Sequence, residues 1–484
     1  MTTPGTRHLC IYGHFYQPPR EDPFTGSIPR EFGAEPFHDF NEKITAECYL
    51  PNARLGSFAQ IGFDLGPTLA SWMQTRSNGT LRRIVRQERQ HYAAHGVPNA
   101  LAQAYSHAIL PLCSEREKRI QIAWGIADFE QRFGHSPQGM WLPETAADEA
   151  TLGALLDHGI SYTVLAPWQS RRKLDTTEPY WIELADGRRI AAFFYDGPLS
   201  GRVSFDAGTT SNADVFGYRD LPSHVNAAKV RRGEAQIITV ATDGELYGHH
   251  QVHRDLFLTH LLNETAPRQG FVVTTLGRYL RDHPPTRSTR LAGPSSWSCH
   301  HGVQRWRGAC ACTEGDGRWK AGLRRAITAL GAQLDLHFDQ TGAGLFHDPR
   351  QAELEYVNLR LGRVSRRAFW ELHGTPGRAG SSRAMRLLEA QYHRHLMLAS
   401  CAWFFDDLDR IEPRNAIAHG LRAARIAERV HGLDLTSRFA GDLRGVKSWR
   451  TARTGFDLLR ELASRACETE RASGAALTDR RRAG

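Results

Sequence analysis

The chain has 484 residues, 41% of them hydrophobic, enough to bury a large core and fill two or three domains. No run approaches the roughly 18–20 apolar residues of a membrane span, eight cysteines are too few for a disulfide scaffold, and MTTPGTRHLC carries no secretion signal, so a cytoplasmic protein without a membrane partner is expected. The net charge of +9 comes mostly from arginines spread among Asp and Glu, which describes a solvated surface rather than a nucleic-acid footprint.

RHLCIYGHF (7–15) reads as a buried strand with His14 at its C-terminal end, and the paired prolines of GHFYQPPRE (13–21) end it. SEREKRIQIAWGIADFEQRFG (114–134) opens with a capping box, Ser114 with Glu117. It sets Ile122, Ile126, Phe129 and Phe133 on one face and stops at Gly134. The strand QGMWL (138–142) follows, then a helix ending near His158 and the strands ISYTVLA (160–166), RIAAFFYD (189–196) and AQIITVATD (235–243). Strand and helix in alternation predict a parallel sheet, doubly wound or closed into a barrel. No Gly-rich phosphate loop follows any strand, which argues against a nucleotide-binding domain. His14, Glu144, Asp196 and Asp243 all fall at strand C-termini, where barrel active sites collect. RDHPPTRSTRLAGPSS (281–296) reads as a connection, and beyond it the pattern is helical. Met385, Leu388, Tyr392, Leu396, Ala399 and Trp403 step by three and four, as do Ile417, Leu421 and Ala424 before Gly432. The expected division is a barrel catalytic domain over 1–285, a helical domain closing the cleft over 286–472 and a disordered tail over 473–484.

Two motifs carry chemistry, MWLPETAAD (140–148) and IITVATDGELYGHH (237–250). Each delivers a carboxylate where a strand ends, and a retaining glycosidase needs two, about 5 Å apart, on either side of the anomeric carbon. Glu144 suits the nucleophile, with Pro143 fixing the chain before it and Trp141 offering an aromatic face to a sugar ring. Asp243 suits the proton donor, with Gly244 allowing a tight turn and Glu245, Tyr247, His249 and His250 as polar neighbours. Taken singly, each motif is more readily structural, Glu144 an acid at the positive end of a helix and Asp-Gly an ordinary turn. His14 can hydrogen-bond a sugar hydroxyl, Asp196 lies at a further strand end, and Trp297 of SSWSCHHGVQRW (295–306) can stack on a sugar; Trp306 suits a core. Cys299, Cys310 and Cys312, with His300 and His301, are the one cysteine cluster. Their spacing departs from the two-residue separations of structural zinc sites, so packed thiols are expected, with neither metal nor cofactor.

These residues resemble glycoside hydrolase family 57, in its branch with an added C-terminal domain of unknown function. Five short regions of that family are matched: His14-Phe15-Tyr16-Gln17-Pro18, NALAQAYSHAILP (99–111), Trp141-Leu142-Pro143-Glu144, Asp243-Gly244-Glu245-Leu246-Tyr247-Gly248 and Ser295-Ser296-Trp297. The resemblance implies an incomplete seven-stranded (β/α) barrel followed by a helical domain. It also implies retaining chemistry without metal on α-linked glucans, by hydrolysis, transfer or branching, with Glu144 as nucleophile and Asp243 as acid/base. Two positions depart from the family: its second His of the first region is Tyr16, and the Glu of the second region falls on Asn99. Both would line the sugar subsite, as would Gln17. The alternatives are a metal-dependent carbohydrate deacetylase or mannosidase-like hydrolase, with His14, Asp243, His249 and His250 as ligands, and a non-catalytic carbohydrate-binding protein.

Overall fold

The computed structural model describes residues 5–375 and 378–467; the tail expected over 473–484 lies outside them. The chain divides into two compact units. One holds the residues up to Gln17 together with Glu31–Gly302, the other Pro18–Arg30 and the described residues from Val303 onward.

The first unit is built on parallel strands. β1 (Arg7–Phe15) is buried beyond its first residue, as a central parallel strand must be. β2 (Gly62–Leu65) pairs with its C-terminal half, then come β3 (Ala100–Gln103) and β4 (Met140–Trp141), all parallel. A single bridge from Gly139 to Tyr162 carries β4 to β5 (Tyr162–Leu165). β6 (Tyr180–Glu183) lies antiparallel on β7 (Arg189–Phe194), which is parallel to β5. β8 (Gln236–Asp243) runs along β1 from Arg7 to His14, and the Asp196 N–H donates to Thr239 O at 2.8 Å, linking the end of β7 to β8. β1–β5, β7 and β8 thus form a circuit of seven parallel strands. The circuit is incomplete where one bridge or one hydrogen bond replaces a ladder. β9 (Phe271–Val273) pairs with the start of β1, and β10 (Ser288–Thr289) extends β6.

Alternation along β1 aims Cys10, Tyr12 and His14 to one face. Cys10 and Tyr12 join Leu101, Trp141, Tyr162, Phe193 and Ile237 in one core cluster, so His14 stands at its C-terminal edge. The helix Glu115–Phe133 has the expected capping box and ends on Gly134 at φ 84°. The helix Glu149–Asp157 is capped by Asp148, whose carboxylate accepts from Thr151 N at 2.8 Å. That cap is four residues beyond Glu144, so Glu144 does not serve as the acid at this helix's positive end.

In the second unit the long helices are Arg318–Gly342, Arg378–Leu396 and Ile411–His431, with Trp306 and Trp403 fully buried. Arg394 forks onto Asp335 through two bonds of 2.9 Å. The stripe read through 385–403 is not one helix. The backbone bonds tighten to i→i−3 at Leu398 and Ala399, the helix ends at Leu396, and Trp403 sits on a separate short helix, Cys401–Phe404. The segment Pro18–Arg30 is tied to Ile411–His431 by Asn415 Nδ2, which donates to Pro19 O at 2.6 Å. Among the described residues, no helix is long and apolar enough to cross a membrane.

Candidate active site

Glu144 follows β4 in a turn where it takes φ 59° and ψ 23°, and Thr145 takes φ 48°. Such left-handed conformations cost non-glycine residues of order 1–3 kcal/mol each and persist only when the surroundings impose them. Here Thr145 N donates to Leu142 O at 2.7 Å, Gln169 Nε2 donates to Thr145 O at 2.8 Å, and Ala147 pairs with Ser295. The turn presents the Glu144 carboxylate to two donors on one oxygen. Trp297 Nε1 reaches Oε2 at 2.9 Å and Ser298 Oγ at 2.6 Å, while Trp297 N–H donates to the Glu144 carbonyl at 3.0 Å. Burial raises the Glu144 pKa, with the charge of Asp243 adding to it; the two hydrogen bonds and His14 act against the rise.

Asp243 is the last residue of β8 and solvent-exposed, and its backbone is in register with His14 of β1. Its charge acts on Glu144, Glu245, His14 and His250, which places all five in one electrostatic neighbourhood. Gly244 makes the turn possible for a steric reason. A Cβ there would stand 2.4 Å from the buried ring of Phe15. Gly244→Ala is therefore expected to cost about 1–3 kcal/mol, by the usual penalty of overpacking a core, and to lower Tm in a thermal melt; an unchanged Tm would remove this reason for the glycine. Glu245 is buried, and its pKa is raised to about 7 by desolvation and by Asp243. Its Oε1 accepts from Tyr49 Oη at 2.5 Å and from Tyr16 N at 3.2 Å.

Beneath these carboxylates lies a polar group that no sequence motif marked. Asp64, the third residue of β2 and in register with His14, is fully buried and receives Tyr12 Oη at 2.9 Å, Gln103 Nε2 at 2.6 Å and His14 Nδ1 at 2.8 Å. Burial pulls the His14 pKa down, but the charge and hydrogen bond of Asp64, helped by Asp243 and Glu245, lift it to about 9. Burial raises the Asp64 pKa, while the His14 charge and the three donors act against that rise and favour the ionised form. The His107 pKa is well below the usual value, through burial and the neighbouring His14 charge, so His14 Nε2–H donates to the neutral His107 Nε2 at 3.2 Å. Tyr16 stacks on His107 with ring centroids 3.7 Å apart.

Several expected ligands are engaged elsewhere. Trp141 offers no face to a sugar: it is fully buried, stacked on Tyr12 and on His14 at 5.0 Å each. Asn99 precedes β3, at the opposite end of the strand from the site, and its Nδ2 donates to Phe58 O and Ile61 O at 2.7 Å. Gln103, at the C-terminal end of that strand, occupies the site instead. Both oxygens of Asp196 are occupied, one capping the helix Gly197–Phe205 through Leu199 N at 2.9 Å and one bound to His224 Nδ1 at 2.7 Å. Tyr247 is buried, with Asn52 Nδ2 on its carbonyl at 2.7 Å. His249 Nδ1 is held by Glu47 at 2.5 Å, and both nitrogens of His14 are engaged. Among the described residues, His14, Asp243, His249 and His250 form no cluster suited to a metal, contrary to what the deacetylase alternative needs. His250 remains beside Asp243, and Gln17 bonds Tyr49 through its side chain. Trp297 keeps part of its surface exposed, and Trp168, 46% exposed and bonded to Ser296 O at 3.0 Å, is an aromatic face that no sequence motif marked.

Residues 62–291 match the model of Glycosyl hydrolase family 57, a span that contains both Glu144 and Asp243. These residues are a glycoside hydrolase family 57 domain. Residues 316–477 match a domain of unknown function, DUF3536. The chain is 44% identical over 52 residues to a 1,4-alpha-glucan branching enzyme of Thermococcus kodakarensis; the match spans 10% of this chain and 8% of that relative. The fold is similar to that of an exo-type maltose-forming amylase from Pyrococcus sp. ST04, with TM-score 0.74 at 14% identity, covering 90% of this chain and 82% of that one. It is also similar to a 4-alpha-glucanotransferase from Thermococcus litoralis, with TM-score 0.57 at 15% identity, covering 93% and 63%.

Proposed function

We propose that this protein cleaves α-linked glucans with retention of configuration, through a glycosyl-enzyme on Glu144. The observation that carries the reading is the Glu144 turn: a strained carboxylate held by Trp297 and Ser298 through one oxygen, which leaves the other to face a substrate, within the electrostatic reach of Asp243. In the first step Glu144 Oε1 attacks the anomeric carbon while Asp243 gives its proton to the departing glycosidic oxygen. In the second, Asp243 takes a proton from water or from a sugar hydroxyl, whose oxygen displaces Glu144. The charged His14 favours the ionised form of Glu144 that attack requires. Two solved folds and one curated relative, named for maltose formation, glucan transfer and α-glucan branching, support an α-glucan as substrate. The sparse cysteines support a cytoplasmic setting.

Incubation with maltooligosaccharides and with amylose, followed by product profiling and NMR of the released anomer, tests the reading. The expected result is products whose first-formed anomer is α, and chains longer than the substrate if a sugar acts as acceptor. Release of β-anomers, or no turnover of any α-glucan, would overturn it.

A further inference from the structure

We infer that Gln169 is the positioning residue of the nucleophile, a buried amide that holds the Glu144 turn in register with the segment donating to Glu144, a role that rests on the retaining mechanism proposed above. Gln169 ends the short turn Pro167–Gln169 that follows β5, and it is fully buried. Its Oε1 accepts from Ala166 N and from Thr145 Oγ1, both at 2.9 Å. Its Nε2 donates to Thr145 O at 2.8 Å and reaches Ser295 through O at 3.2 Å and Oγ at 3.3 Å. The Ala166 N–H can only donate and the two carbonyls can only accept, so the network admits one orientation of the amide. Donors and acceptors of the side chain are all in use.

Glu144 and Thr145 both take positive φ, which residues with a Cβ avoid, so groups outside the turn must impose it. Gln169 grips Thr145 at its carbonyl and its hydroxyl together. The same short turn fixes the other half of the site. Ala292 N donates to Gln169 O at 2.8 Å and Trp168 Nε1 donates to Ser296 O at 3.0 Å, so with the Ser295 bonds the segment 292–296 is held to 168–169 along its length. Trp297 and Ser298 come next in the chain, and both donate to Glu144 Oε2. Gln169 therefore joins the backbone of the carboxylate to the backbone of its donors, and none of its own bonds is to Glu144. Few residues could replace it. Asparagine is one methylene shorter, leucine offers no polar atom, and an ionised glutamate would set an oxygen against Thr145 O and Ser295 O, two acceptors.

The test begins with Glu144→Gln in the full-length protein. If that variant kept its turnover, the proposed mechanism would fall and the role of Gln169 with it. Gln169→Leu is expected to lower kcat on a maltooligosaccharide about a hundredfold, the scale of a nucleophile misplaced by roughly 1 Å, with a native far-UV circular dichroism spectrum. Binding should not follow kcat. Calorimetry of the same sugar with Glu144→Gln and with Glu144→Gln/Gln169→Leu, neither of which turns it over appreciably, is expected to give equal Kd values. The double variant should also retain the residual rate of Glu144→Gln, because a residue acting through the nucleophile has nothing left to position. Gln169→Glu keeps the shape, and its protonated form can still donate one O–H. Its kcat relative to the unsubstituted protein is expected to recover as pH falls from about 8 to about 5, the range in which a buried carboxyl gains its proton. Should Gln169→Leu fail to fold, this pH dependence decides the matter. With Glu144→Gln inactive, three results would overturn the role of Gln169 alone: near-normal kcat in folded Gln169→Leu, a Kd weakened as much as kcat, or a Gln169→Glu rate that keeps a constant ratio to normal across that pH range.

Discussion

Glu144→Gln is expected to lower kcat on an α-glucan by roughly ten-thousand-fold or more, as removal of a covalent nucleophile does, with the fold intact. The amide keeps an oxygen for Trp297 Nε1 and Ser298 Oγ, so the turn at φ 59° keeps its two donors and loses only the charge that attacks carbon. Far-UV circular dichroism and Tm should match those of the unsubstituted protein. A companion variant, Glu144→Ala, opens space beside the anomeric carbon. Added azide is expected to restore turnover of an activated α-glucoside and to leave a β-glycosyl azide, the product of a single inversion. If Glu144→Gln kept near-normal turnover, Glu144 would be a structural residue and the proposed mechanism would fail. If azide gave the α-product instead, attack would come from the other face.

The second large effect concerns Asp64. His14 has a folded pKa of about 9 against an ordinary 6.5, so it binds its proton more tightly in the native state. A group raised in this way contributes its full stability below about pH 6.5 and loses that contribution as pH climbs through about 9. A shift of this size corresponds to an upper bound of roughly 3 kcal/mol for so buried a group. Asp64→Asn removes the charge that holds the proton. It is expected to lower unfolding free energy at about pH 6 by a few kcal/mol and to abolish the decline between about pH 6.5 and 9. Urea titrations at both ends of that range make the measurement. The charge of His14 also favours ionised Glu144, so the acid limb of kcat/KM should move to higher pH in the variant. A variant with the same stability difference across the range and the same acid limb would show that Asp64 does not set the charge of His14.

The long elements of the first unit were legible because their signals are strong and local. β1 and β8 are apolar runs of nine and eight residues, and the helix Glu115–Phe133 announces itself with a capping box and a terminal glycine. β2 and β3 have four residues each, too few for a period to show, and they pass unread. The loss falls on function, since Asp64 and Gln103 lie on those two strands. Asn99 and Gln103 illustrate the same limit: they stand four residues apart, a full strand length, so a shift of that size along β3 moves a residue from one end of the barrel to the other. Trp141 fails for a different reason. A tryptophan beside a carboxylate suggests a sugar platform, yet which face of it remains open depends on Tyr12 and His14, both distant in the chain.

The sequence by itself determined that strand ends carry carboxylates, because an apolar run followed by Pro-Glu or Asp-Gly is written in consecutive residues. Only the tertiary structure decided which side chains those carboxylates answer to. Parallel strands bring together residues fifty or more positions apart, through register alone, so that His14 meets both Asp64 and Asp243. The turn at Glu144 and the buried charge beneath it are products of chain reversal and close packing. Those depend on what occupies the space beside a residue, which no local pattern of neighbours in the chain records.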